Sequence, residues 1–438
     1  MQRCRLSIKA CKGMGMGSNR KLIFRNWRFA RIALIFLLQG NAGLSGTLVV
    51  SQNGKIKTIG EAVAMACAGD AIVITQGVYR ESGIVIDKKL HIIGRGFPII
   101  DGGDANEDIL VVRSDGTRIE GLDIRNVKTN YVKDLAGIAL MKVRNCTIRN
   151  NRLSNTFFGI YLQNSAGCIV SGNQVIGEAA QEASSGNALH LWKCRNIVLE
   201  NNILKRHRDG IYIEFTDSTK ISNNLSENNL RYGLHFMFSN NNTYIENTFR
   251  SNGAGVAVMF SKHIVMQKNL FENNWGGASY GLLLKDITDS EIAENIFRKN
   301  TIGVYGESAS RINLTGNDFE ENGWAMKMTG SCIGNEITGN NFIANTFDVS
   351  SVSSGASNKY SRNYWSSYSG YDLDKDGVGD TPYHPVSLFC YLSKRVPEAI
   401  ILQRSLFVHM INFAEKVAPA LTPANLKDDS PLMKMIKR

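Results

Sequence analysis

The sequence predicts an all-β fold, a right-handed parallel β-helix solenoid with an N-terminal cap helix and a C-terminal helix and extended tail. Three observations carry this reading. An Asn-x-apolar element returns at NRL 151, NQV 173, NNI 201, NNL 223, NTF 247, NLF 269, NIF 295, NDF 317 and NNF 340, in steps of 22, 28, 22, 24, 22, 26, 22 and 23 residues. A second element, GIALM at 137, GIYLQ at 159, ALHLW at 188, GIYIE at 210, GLHFM at 233, GVAVM at 255, GLLLK at 281 and GVYGE at 303, keeps the same rhythm. Between the markers lie strand-like runs with no 3.6-residue pattern, which selects a β-helix over a leucine-rich horseshoe.

Taken in order, residues 1–45 read as a basic leader and signal peptide. Residues 1–31 hold nine Lys or Arg and no Asp or Glu, and run into the apolar stretch Ile32 to Leu38, too short to span a bilayer. A buried N-terminal helix is the alternative for this run. Without residues 1–31, 41 of the 50 basic residues remain against 39 acidic ones. A body that close to neutral lacks the electrostatic footprint of a polyanion binder, so no nucleic acid is expected as a partner.

Residues 46–100 form the N-terminal cap and first coils. Ile56 to Cys67 has helical spacing, Gly69-Asp70 stops it, and Ala71 to Thr75 reads as a strand. A solenoid needs such a cover, because an open first coil exposes a strand edge and an apolar end.

Residues 101–368 are the repeating coils. Asparagines recurring once per turn stack at the bends, where the side chain bonds its own backbone or the neighbouring Asn, so they are structural and not ligands. The long steps place loops at 178–185 and 275–280, and loops on a solenoid line its working face. Cys146 and Cys168 each precede an asparagine by five residues. Their parity stacks them inside on adjacent coils at a spacing within the Cα range of a disulfide, and a buried thiol pair is favoured over a bridge because stacked interior side chains rarely have the needed Cβ geometry.

Alternation along the marker strands separates inward from outward side chains. In GLHFMF, Leu234, Phe236 and Phe238 form the inward set, while His235 and Met237 point out. Stacking the repeats gives two outward columns. One is Tyr161, His190, Tyr212, His235, Ala257, Leu283, Tyr305; the other is Gln163, Trp192, Glu214, Met237, Met259, Lys285, Glu307. Rungs are about 4.8 Å apart, so His235, Met237 and Met259 form a compact triangle of one imidazole and two thioethers. That soft-to-borderline donor set suits Cu(I) and is poor for magnesium or calcium. The other reading is an aromatic and methionine patch buried under a loop or a partner. His263 follows on the next strand without a defined direction, whereas Met326 and Met328 have inward parity.

Residues 369–385 form an Asp-rich closing loop. Asp372, Asp374, Asp376, the Val378 carbonyl and Asp380 match the first nine positions of a calcium loop, with Gly377 at the sharp turn. Tyr383 stands where the bidentate Glu belongs, so the alternatives are a calcium site and an Asp-rich turn closing the last coil. Residues 386–438 read as a partner-docking tail. From Pro397 a helical pattern gives an apolar face of Ala399, Leu402, Leu406, Met410, Phe413 and Val417, while Arg404, His409, Glu415 and Lys416 exclude a transmembrane span in the mature chain. Proline-punctuated, extended chain follows. Six of the seven prolines lie beyond residue 381, which marks the boundary.

GLHFMFSN, NYWSSYSGYDLDKDGVGDTPY and the tail PEAIILQRSLFV ending in SPLM together resemble the NosD family of nitrous-oxide reductase maturation, over residues 47 to 438. The resemblance implies a periplasmic β-helix that joins the ATPase and membrane subunits of an ABC transporter. It also implies acceptance of copper from a copper chaperone lipoprotein and supply of it to nitrous-oxide reductase. No covalent chemistry is expected. The competing reading is a polysaccharide lyase or glycoside hydrolase, which needs two carboxylates across a groove. Outward Glu214 and Glu307 are four coils apart, about 19 Å at the rung spacing, and Asp209 and Asp217 fall at turns. A metal-free scaffold is the third reading.

Overall fold

Short β-branched and aromatic runs separated by bends let each coil of this chain pair with the next along three faces. The computed structural model describes residues 45–438, apart from 104, 131, 278, 352–357, 404, 418–425 and 438. The expected leader and apolar stretch lie outside the described residues. The strands assemble into parallel sheets of 14, 12 and 13 members, each strand pairing with its counterpart one coil away. One coil illustrates the path: Tyr232–Met237 on the 12-stranded sheet, Thr243–Ile245 on the 14-stranded sheet, and Thr248–Arg250 on the 13-stranded sheet. The fold is the all-β parallel solenoid that the 22-residue period predicts.

The expected cap is present. Helix α1 (Ile59–Met65) starts at Thr58, whose side chain accepts the Glu61 amide, and buries Ile59, Ala62 and Val63. Its last turn is held by Lys88, whose Nζ donates to the carbonyls of Val63, Ala64 and Ala66 at 3.0–3.1 Å. A cation there both satisfies unpaired carbonyls and meets the negative end of the helix dipole.

The asparagine ladder lies inside, one residue off the sequence reading at two coils. At 201 and 223 the first Asn adopts a left-handed bend (φ 56° and 55°) and the second, Asn202 or Asn224, enters the ladder. The steps thereby become 22, 29, 22, 23, 22, 26, 22 and 23. Each ladder oxygen accepts the backbone N–H and side-chain Nδ2 of the preceding rung, as Asn247 does from Asn224 at 2.9 and 3.0 Å. A second ladder runs Asn229, Asn252, Asn274, Asn300, Asn322, Asn345. Beside them the interior carries a stack of Phe249, Phe271, Phe297, Phe319, Phe342 and Trp365 at centroid spacings of 4.1–5.6 Å. Cys146 and Cys168 are buried free thiols, and Met326 and Met328 are interior, as parity predicts.

The C-terminus departs from the sequence reading in its helices. In place of a single helix from Pro397 there are α2 (Leu388–Arg395), a 3-10 turn (Pro397–Leu402) and α3 (Leu406–Val417). Among the described residues no helix is long and apolar enough to cross a membrane. The end of the tail is extended, as read, and is bonded onto the last coils. Asp428, fully buried, accepts the Asn363 amide, Asn363 Nδ2 and Trp365 Nε1 at 3.0–3.1 Å. A carboxylate thus ends the asparagine ladder. Farther on, Ile436 exchanges both backbone bonds with the Asn341 side chain at 3.0 Å.

Candidate metal centre

The two outward columns are in register as the period predicts. Tyr212 pairs with His235 and His235 with Ala257; Glu214 pairs with Met237, Met237 with Met259, and Met259 with Lys285. His235, Met237 and Met259 therefore occupy adjacent rungs on the outer wall. Their exposure differs from expectation. Met237 and Met259 are half-buried, but His235 is only 3% exposed, roofed by Tyr212 at a centroid distance of 5.1 Å and Tyr232 at 4.8 Å.

Neither ring nitrogen of His235 has a hydrogen-bond partner. Burial, reinforced by Arg231 and Arg208, pushes its pKa down to about 4. At neutral pH the imidazole is uncharged, and one nitrogen keeps a free lone pair. A buried polar group left unsatisfied costs roughly 1–3 kcal/mol, and His207 Nε2 carries the same penalty in the interior. An imidazole lone pair and thioethers are donor types suited to a soft or borderline cation. His190, one coil beyond Tyr212, is also held neutral, at about 3, by burial and by Arg208. It differs in having a partner, Asn187 Nδ2 at 3.1 Å from its Nδ1.

Several neighbours escaped the sequence reading. Asp209 does not sit at a turn. It opens the strand Asp209–Glu214, fully buried, its Oδ1 accepting the Tyr232 amide at 3.2 Å and its Oδ2 3.5 Å from Arg208 Nε. Burial raises its pKa against the pull of Arg208 and Arg231. Asp217 is not at a turn either: it forms an isolated bridge with Arg195 just before the left-handed bend at Ser218, and accepts the Asn240 amide. His263 stands exposed at a bend (φ 56°).

Phe238 is not interior. The chain turns left-handed immediately after Met237, and Phe215, Phe238 and Phe260, with φ of 50°, 49° and 51°, point out, 46, 43 and 42% exposed. Their rings stack nearly parallel at 5.3 and 5.0 Å. A bulky residue in that conformation costs about 1–3 kcal/mol, repeated here on three successive coils.

In the closing loop, oxygens of Asp372, Asp374 and Asp376 converge within 4.8 Å of one another. Asp372 Oδ2 accepts the Gly377 amide at 3.0 Å, Gly377 having φ 87°, while Asp372 Oδ1 is buried without a partner. Asp374 accepts the Asp376 amide, which lowers its pKa, but repulsion from Asp376 and Asp380 leaves the balance upward. An extra cation suits such a trio. Asp380 Oδ2 is taken by the Leu373 amide at 2.7 Å. Tyr383 turns away from the loop, its OH donating to buried Asp348 at 3.3 Å.

The apolar face assigned to the tail helix is outward. Leu406, Met410, Phe413 and Val417 of α3 are 62–76% exposed, while Val408 packs with Phe347, Phe389 and Cys390.

A family model described as periplasmic copper-binding protein (NosD) matches residues 63–183 and 177–370. A probable ABC transporter binding protein NosD of Pseudomonas aeruginosa is 30% identical over 373 residues, 80% of this chain and 85% of that protein. Its namesake in Stutzerimonas stutzeri is 29% identical over 322 residues, 69% of this chain and 73% of that protein. Among solved structures, the Dettilon tailspike protein has a TM-score of 0.58 at 14% identity, covering 72% of this chain and 70% of that one. The catalytic domain of a GH87 α-1,3-glucanase also reaches 0.58, at 13% identity, covering 75% and 70%. At that identity both speak for the fold alone.

Proposed function

The chain belongs to the NosD family of periplasmic copper-binding proteins, and from that premise we propose that it works in the periplasm as an ABC transporter's accessory protein, assisting copper delivery to nitrous-oxide reductase. The observation that carries this reading is the in-register triangle of His235, Met237 and Met259 with its unpartnered imidazole.

Copper is the cargo. Met237 and Met259 supply thioethers from neighbouring rungs, and His235 supplies a nitrogen lone pair that protons do not contest at neutral pH. Tyr212 and Tyr232 hold the ring and keep bulk water from it. Three donors on an outer wall leave one side open, so the ion passes between partners by ligand exchange; a closed four-donor cage would retain it. The copper chaperone lipoprotein is the donor and nitrous-oxide reductase the recipient. The exposed apolar side of α3 serves the transporter's membrane subunit, through which the ATPase subunit acts. In the closing loop, Asp372, Asp374, Asp376, the Val378 carbonyl and Asp380 would hold Ca²⁺, which neutralises the converging carboxylates.

A carbohydrate-active role has less support. Glu214 and Glu307 share a column but are separated by Met237, Met259 and Lys285, a span too long for a glycosidase carboxylate pair. Cu(I) competition against bicinchoninate tests the proposal. Met237→Ala and Met259→Ala each weaken binding at least as much as the roughly 10–100-fold typical of losing an outer partner of a metal ligand. Unchanged affinity in both variants refutes the site.

A further inference from the structure

The copper reading does not use the ridge of Phe215, Phe238 and Phe260. At the same bend, six other coils carry Lys142, Asn164, Lys193, Asp286, Ser308 and Gly330, all left-handed. Those residue types suit a solvent-facing left-handed bend; phenylalanine suits neither the conformation nor the exposure. Among the described residues three consecutive coils make the exception, and two of them carry Met237 and Met259.

We propose that this ridge is the docking point for the protein that exchanges copper with Met237 and Met259, a partner presenting an apolar cleft at the rim of its own metal site. Naming the partner by its copper rests on the function proposed above. Phe238 and Phe260 each follow a candidate ligand directly, so a surface seated on the ridge lies one residue from the thioethers, about 3.8 Å between Cα atoms. The ridge offers roughly 250 Å² of ring surface, against about 800 Å² per partner in a standard stable interface. That is too little for a lasting dimer and suits a contact that must form and release. Charged groups border it: Lys193, whose Nζ lies 4.3 Å over the Trp192 ring, on one side, and the Lys285–Glu307 pair at 3.3 Å on the other. An apolar centre with a charged rim is the anatomy of a protein contact.

The test uses the full chain with Phe215, Phe238 and Phe260 all changed to Asn, which already occupies this bend at Asn164. Its melting temperature should be no lower than that of the wild type, because asparagine tolerates the left-handed conformation. The probe is the Cu(I)-loaded soluble domain of the cognate copper chaperone lipoprotein, immobilised for surface plasmon resonance. The expected result is chaperone binding weakened roughly tenfold or more, with Cu(I) affinity against bicinchoninate unchanged. The Met237→Ala/Met259→Ala protein should show the converse. Chaperone binding by the triple variant equal to wild type overturns the proposal. So does a loss confined to wild-type self-association in sedimentation, or to binding of anionic phospholipid vesicles. A wild type that takes no Cu(I) from bicinchoninate defeats the copper reading instead, and the resonance comparison still decides the ridge.

Discussion

Asn247→Ala should loosen the two coils that bring Met237 and Met259 together. Asn247 follows the coil of His235 and Met237, and its ladder partner Asn269 belongs to the coil of Met259. Its Oδ1 accepts the Asn224 amide at 2.9 Å and Asn224 Nδ2 at 3.0 Å; its Nδ2 donates to the Ile221 carbonyl at 2.9 Å and Asn269 Oδ1 at 3.0 Å. Alanine removes all four. Asn224 Nδ2 retains the Leu199 and Ser222 carbonyls, and Asn269 Oδ1 retains the Asn247 amide. The Asn224 amide is left facing alanine in a dry interior, a penalty of about 1–3 kcal/mol, to which the other bonds add about 0.5–1.5 kcal/mol each where they are not replaced. The expected loss is about 3–5 kcal/mol. Because a solenoid couples mainly neighbouring repeats, it should be concentrated there. Hydrogen–deuterium exchange over residues 220–227, 243–250 and 265–272 should accelerate far more than over residues 91–125, and Cu(I) affinity should fall. Uniform exchange across the solenoid, or a loss below about 1 kcal/mol, would refute the role given to the ladder.

Other expectations concern the C-terminal end. Burial raises the Asp348 pKa from 3.8 to about 7, so the folded state favours the protonated acid and stability falls as pH rises between those values, by about 4 kcal/mol in full. Asp348→Asn should therefore stabilise the protein at pH 8 and change little at pH 4 in urea titrations; an equal effect at both pH values contradicts the burial argument. If Ca²⁺ occupies the closing loop, a hundredfold excess over its dissociation constant should add about 2.7 kcal/mol to the protection of residues 426–436. EGTA or Asp374→Asn should remove that gain, and exchange insensitive to calcium would leave the loop as a plain turn. Met410→Ser/Phe413→Ser, at exposed positions, should leave melting unchanged while abolishing co-purification with the transporter's membrane subunit; persistence of the complex moves the contact elsewhere.

Period and parity were enough to read the coil stack and the Met237–Met259 register, because both follow from one repeating backbone geometry. Parity failed where that geometry bends. At Gly233 an added Cβ would meet the Gly255 carbonyl oxygen at 2.7 Å and interior Phe249 at 3.0 Å. Alternation breaks there, so Tyr232 shares the outer wall with His235. It breaks again at the left-handed bend that turns Phe238 outward. The roof over His235 was also hidden, since it depends on which neighbouring rings lean across the column. The pairs at 201 and 223 concealed the true rung residue, because either amide satisfies the pattern; there the second enters the ladder, whereas at 340 the first does. The closure by Asp428 had no signal at all, being a contact 65 residues from Asn363.

That closure makes helices α2 and α3 a handle riveted at both ends. Tension applied to them by a moving transporter would reach Asn363 and Trp365 through Asp428 as well as through the chain preceding α2, loading the final coil from two directions at once. The same geometry leaves the end of the barrel unsealed until the last dozen residues have been threaded into place, so a chain truncated before Asp428 would keep its helices yet present a raw, sticky rung.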